Sequence, residues 1–90
     1  MKLFRSQDVF WGPVDGKMVI CDGLDGKFFT LNNTAALLWD ACEGASLDSL
    51  VARLATNFPG QDVNVLRADT MRFVERMRSK GLLKIEERST

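Results

Sequence analysis

The chain of 90 residues contains no histidine. Its absence removes the commonest general base and the commonest metal ligand together. Only two cysteines are present, Cys21 and Cys42, so no cluster of thiolate ligands can hold zinc. A nucleophilic Ser or Cys needs an adjacent base to activate it; with no histidine and both cysteines in apolar stripes, that arrangement is not expected. Charge of one sign is missing too: twelve Lys and Arg cancel twelve Asp and Glu. A neutral chain has no overall attraction to nucleic acid or to an anionic membrane. No apolar run approaches the roughly 18 residues of a membrane span, and the N-terminus has no signal-peptide pattern. Repeats and low-complexity segments are also lacking.

The chemistry that remains is thin. The glycines at 12, 16, 23 and 26 do not make a phosphate loop, because no helix with a Lys-Ser/Thr pair follows them; they read as hairpin turns. The paired acids Glu86-Glu87 lie in a terminal tail with nothing to hold them at a defined spacing. We therefore expect no enzyme, no catalytic residue, no metal and no cofactor. Cys21 and Cys42 each sit in an apolar pattern and read as reduced, buried thiols of a cytoplasmic protein.

What is there is an ordinary globular composition, 46% hydrophobic and 27% charged, which predicts a folded domain rather than a disordered segment. Residues 1–90 make one domain with a single modest core, spanning about residues 8–86; domains of this size are stable by roughly 5–10 kcal/mol.

Two periods meet between Gly26 and Cys42. Lys27–Leu31 alternates, Phe29 and Leu31 pointing one way and Phe28 and Thr30 the other, as in a strand. From Thr34 the apolar residues Ala35, Leu38, Trp39 and Cys42 recur at i, i+3, i+4 and i+7, one face of a helix. Asn33 is a good N-cap, and the helix is expected over Thr34–Glu43 with Gly44 stopping it. Trp39 belongs to the core, against Leu38, Leu54 and the sheet.

Before this hinge, Met1–Gln7 is a loose arm or a first edge strand. Asp8–Trp11 is a short strand ended by Pro13. Asp15-Gly16 turns the chain into a second strand, Lys17–Asp22, apolar on both faces and so central in its sheet. After the hinge, Ser46 caps a second helix with the stripe Leu47, Leu50, Val51, Leu54 and Phe58, broken by Pro59-Gly60. A third helix starts near Val63–Leu66 and ends at Gly81, burying Leu66, Thr70, Phe73, Val74 and Met77. Leu82–Ile85 is an extended tail packed back on the domain, and Glu86–Thr90 should fray. The expected fold is α+β and winged-helix-like: a three-stranded antiparallel β-meander followed by three helices.

Two features could bind a partner. The third helix carries Arg67 and Arg78 beside Met71, with Arg72 and Arg76 on the opposite, outer face. A DNA reader concentrates its cations on a larger footprint, so this division favours a solvated helix or a peptide-binding flank over nucleic acid. Phe28 is apolar on the face turned from the helices. An exposed apolar strip beside a free strand edge needs cover, and a partner that adds a strand would provide it.

Gly26-Lys27-Phe28-Phe29-Thr30-Leu31-Asn32-Asn33-Thr34-Ala35, then Leu38-Trp39, then Glu43-Gly44 and a Ser-capped helix, resemble the PqqD family. The later Phe73-Val74, Met77 and Gly81-Leu82-Leu83 pattern is similar to that family's end. The family is similar in fold to the RiPP recognition element. The resemblance implies a non-catalytic peptide chaperone of natural-product biosynthesis. It would bind the leader of a ribosomally made precursor peptide and present it to a modifying enzyme, such as a radical-SAM enzyme or a leader peptidase. The peptide would join the third meander strand and lie against the third helix. The implied peptide-binding positions are Lys27, Phe28, Phe29, Thr30 and Leu31 with Arg67, Met71, Val74 and Arg78, the two arginines meeting acidic side chains. The competing reading is a winged-helix nucleic-acid-binding or transcription-associated protein.

Overall fold

The computed structural model describes residues 1–86. They run β1 (Lys2–Arg5), β2 (Val9–Val14), β3 (Lys17–Asp22), β4 (Lys27–Leu31), α1 (Asn33–Ala41), α2 (Leu47–Asn57), α3 (Val63–Ser79) and β5 (Leu83–Glu86). Strands β2, β3 and β4 form an antiparallel meander with β3 in the middle. Three helices follow it, so the α+β, meander-then-helices architecture is the observed one.

Local chemistry explains the turns. Asp15 and Gly16 both have positive φ, 51° and 79°, the combination a two-residue hairpin turn needs to match the strand twist. The next turn depends on Gly23 for space: a Cβ there would lie 2.6 Å from the Asp8 carbonyl oxygen, which accepts the Gly23 amide at 2.7 Å.

The meander buries one face. Ile20 and Leu31 are buried, with Met18 and Phe29 packed against the same cluster. Phe10, Cys21 and Phe28 lie in register across the other face; Phe10 and Phe28 are exposed and Cys21 is half-buried. Cys21 is thus not the buried thiol expected, because nothing covers the outer face; Cys42 is fully buried. Each helix begins on a capping side chain. Ser46 and Ser49 form a reciprocal capping box on α2, and Asp62 caps α3. The whole expected stripe of α3, Leu66 through Met77, is buried. Thr70 lies in it without cost because its hydroxyl donates to the Leu66 carbonyl at 2.8 Å.

Several expectations are refined. Of the two readings of Met1–Gln7 the edge strand holds and the loose arm does not: Lys2–Arg5 form β1 and Leu3 is fully buried, so the core reaches outside residues 8–86. The extended tail does pack back on the domain, as β5 paired with β1. Pro13 does not end its strand but lies inside β2, where an edge strand tolerates its missing amide. The cap of α1 is Asn32 rather than Asn33, its side chain accepting the Ala35 amide at 2.8 Å. The helix accordingly begins one residue early and ends at Ala41. Phe58 caps the end of α2 and stays 37% exposed, so that stripe ends at Leu54. Glu86 closes β5; the fraying expected further on concerns residues 87–90, outside the described ones.

Candidate functional site

The ladder of the meander fixes which backbone groups of β4 are free. A two-residue hairpin closes on a hydrogen-bonded pair, here Val14 and Lys17. Hydrogen-bonded and non-hydrogen-bonded pairs then alternate. Val19 and Cys21 therefore spend their main-chain groups on β2, and Met18, Ile20 and Asp22 spend theirs on β4. By the observed register, Leu31, Phe29 and Lys27 answer those bonds. Phe28 and Thr30 direct their amides and carbonyls at the free edge of β4. The same alternation turns the nitrogen of Pro13 outward on β2, which is why a proline fits there.

Next to the end of β4, from Asn32 onward, lies a cleft of about 500 Å³ between α1 and α3. Asn32, Thr34, Ala35 and Leu38 form one wall, and Asp69, Arg72, Phe73, Arg76 and Met77 of α3 form the other. Leu38, Phe73 and Met77 give it an apolar floor, and two arginines stand at the rim. One turn beyond Arg76, the Lys80 ammonium reaches over the Phe29 ring, 4.6 Å from its centre. So the Asp69–Arg72–Arg76 flank of α3 lines the cleft, and Lys80, next in the row, meets β4 at Phe29.

The residues named from sequence divide in two. Lys27–Leu31 form β4 as expected, with Phe28 71% exposed and Leu31 buried. None of the four positions on α3 lines the cleft. Arg67 turns to α2, where it pairs with Asp48 at 2.9 Å. Val74 is buried. Met71 is exposed, and Arg78 pairs with Glu75 along its own helix. Arg72 and Arg76, assigned to the outer face, border the cleft instead. The stripe of α3 was legible, but which of its flanks meets the sheet depends on how the helix crosses it. The spacing of Arg72, Arg76 and Lys80 at i, i+4 and i+8, next to Phe73 and Met77, is the signal that marks the cleft side.

Elsewhere the chemistry is structural. The Arg5 guanidinium stacks 4.5 Å from the centre of the Trp11 ring and 5.4 Å from that of Trp39. It also donates to the carbonyls of Trp39 and Asp40, at 2.6 and 3.0 Å, and so caps the end of α1. Burial pushes the Cys42 thiol up to about 11, only partly opposed by the nearby Arg5 charge. A thiol held protonated in this way is a poor nucleophile at neutral pH. Among the described residues there is no group of three potential metal ligands, and no helix is long and apolar enough to cross a membrane.

Two solved structures share this architecture. One is TbiB1 in complex with the TbiA(beta) leader peptide, with 21% identity and a TM-score of 0.82 over 98% of this chain and all of that one. The other is a lasso peptide synthetase B1 complexed with its leader peptide, with 21% identity and a TM-score of 0.83 over 94% of this chain and all of that one. At that identity the likeness establishes the fold. No curated protein matches the sequence. The family model for coenzyme PQQ synthesis protein D matches residues 17–83, from the central strand of the meander to the start of β5. The chain, with its free β4 edge and the cleft beside it, belongs to the PqqD family.

Proposed function

We propose that this domain is a non-catalytic peptide chaperone that takes the leader of a ribosomally made precursor peptide as an added strand on β4. The observation that carries the reading is the β4 edge, where Phe28 and Thr30 offer unpaired main-chain groups beside a cleft with an apolar floor. Main-chain bonds to such an edge supply affinity, and pockets for alternate side chains supply selectivity. The two structural neighbours, each solved with a leader peptide, support the same reading, as does the family.

Holding a leader raises its local concentration and fixes its register for a second protein. A modifying enzyme, such as a radical-SAM enzyme or a leader peptidase, is the partner in this scheme, and the cytoplasm its place. A nucleic-acid reading gains nothing from the fold. Arg67, Arg72 and Arg78 are each paired with a carboxylate, and the two cations left, Arg76 and Lys80, are a smaller footprint than a nucleic-acid reader presents.

The test is amide exchange with and without a leader peptide found to bind the domain. New protection is expected at Phe28 and Thr30 and along the Arg72–Arg76 flank. Protection confined to α2 and α3, with β4 unchanged, would return the helix-turn-helix reading. Binding that weakens steeply with salt would do the same, since phosphate contacts release counterions.

A further inference from the structure

The flank of α3 that borders β4 carries a row of cations out of keeping with a neutral protein. Arg72 and Arg76 line the cleft, and Lys80, next at the same four-residue spacing, stands over Phe29 of β4. Among the described residues Arg76 and Lys80 have no carboxylate partner, and Arg72 has only its own neighbour Asp69. The opposite flank is neutralised, Arg67 by Asp48 and Arg78 by Glu75. Charge is thus left uncompensated on one side of the helix, and it is the side of the free strand edge.

The spacing carries the inference further. Four residues of helix rise about 6 Å, and two residues of strand advance about 6.6 Å. A strand added to β4 would turn every second side chain toward α3, at nearly the pitch of this cation row. Arg76 and Lys80 would then stand opposite groove-facing positions of the peptide two residues apart. Of the apolar floor, Phe73 lies next to Arg72 at that end of the row, opposite the next groove-facing position.

We infer that this domain selects a peptide segment with acidic side chains at i and i+2 on one face, flanked on that same face by a large apolar residue. The inference rests on the strand-addition reading and names the substrate class that reading leaves open. The apolar residue fills the floor beside Phe73. The two carboxylates answer Arg76 and Lys80. Lys80 reaches its carboxylate by leaving the Phe29 ring, an exposed cation–π contact that is weak in water.

The experiment is a selection of random short displayed peptides on the wild-type domain, on Arg76→Glu/Lys80→Glu, and on Arg67→Glu/Arg78→Glu. All four positions are on the surface of α3, and thermal melts check that each protein is folded. Wild type should enrich Asp or Glu two residues apart next to an apolar residue. The Arg76→Glu/Lys80→Glu domain should enrich Lys or Arg at the same spacing, and should bind the wild-type peptides about tenfold more weakly. The Arg67→Glu/Arg78→Glu domain should enrich the wild-type set. An alternating apolar pattern without acidic residues, or identical peptides on all three proteins, overturns the inference and leaves strand addition standing. Enrichment of no peptide at all overturns both.

Discussion

The Arg5 guanidinium donates a 2.6 Å hydrogen bond to the Trp39 carbonyl, so the first strand of the chain holds the last turn of the first helix. The same group stacks on Trp11 and lies 3.4 Å from the Glu43 carboxylate. Its side chain is only 13% exposed. Hydrogen bonds from a charged donor at such sites are worth about 1.5–3 kcal/mol. Arg5→Ala should therefore cost about 2–3 kcal/mol in urea unfolding. Arg5→Lys should restore little of it, because an ammonium has neither the planar fork for two carbonyls nor the same stacking face.

Trp39 is fully buried and meets the Trp11 ring edge-on at 5.5 Å between centres. Trp39→Ala should cost about 3–5 kcal/mol, much of the stability of so small a domain. Near-wild-type melting of that variant would contradict the burial described here.

Cys42 gives the domain a pH signature. Its folded pKa is raised, from 9.0 to about 11, so the unfolded chain releases its proton first as pH climbs. Stability should be unaffected by this group below about pH 9 and fall between about pH 9 and about 11, by at most about 1.4 kcal/mol per pH unit. Urea unfolding across that range should show the loss in the wild type and a flatter profile in Cys42→Ala.

Two neighbouring prolines separate binding from folding. Thr30→Pro removes an amide that faces the free edge and should weaken peptide binding about tenfold or more, with a small change in melting. Phe29→Pro removes an amide that β3 uses and should unfold the sheet. If the two variants bind and melt alike, the edge assignment of β4 is wrong.

Much of this fold could be read from periodicity. Lys17–Asp22 announced a central strand because both of its faces are apolar, and the α3 stripe from Leu66 to Met77 matched burial residue for residue. What escaped depended on partners distant in sequence. Nothing near Leu3 says that Ile85 will lie opposite it. Pro13 punctuates a strand only where its nitrogen points at a neighbour, and that depends on which edge β2 occupies. The two flanks of α3 look alike as amphipathic sequence. Only the crossing of the helix over the sheet gives Arg72 and Arg76 to the cleft and Arg67 to Asp48.

The pairing of Lys2 with Glu86 also sets an order of events in folding. The meander and the α2–α3 pair join segments close in sequence and can form early. The clasp between β1 and β5 must bring together the two ends of the described chain. Loop-closure entropy grows only slowly with length, so the cost falls more on rate than on stability, as it does for contacts distant in sequence. During synthesis β1 emerges before the other described elements and β5 after them. Until Leu83–Glu86 has been made, Leu3 has no finished core to enter, and the nascent domain waits on its final segment to lock.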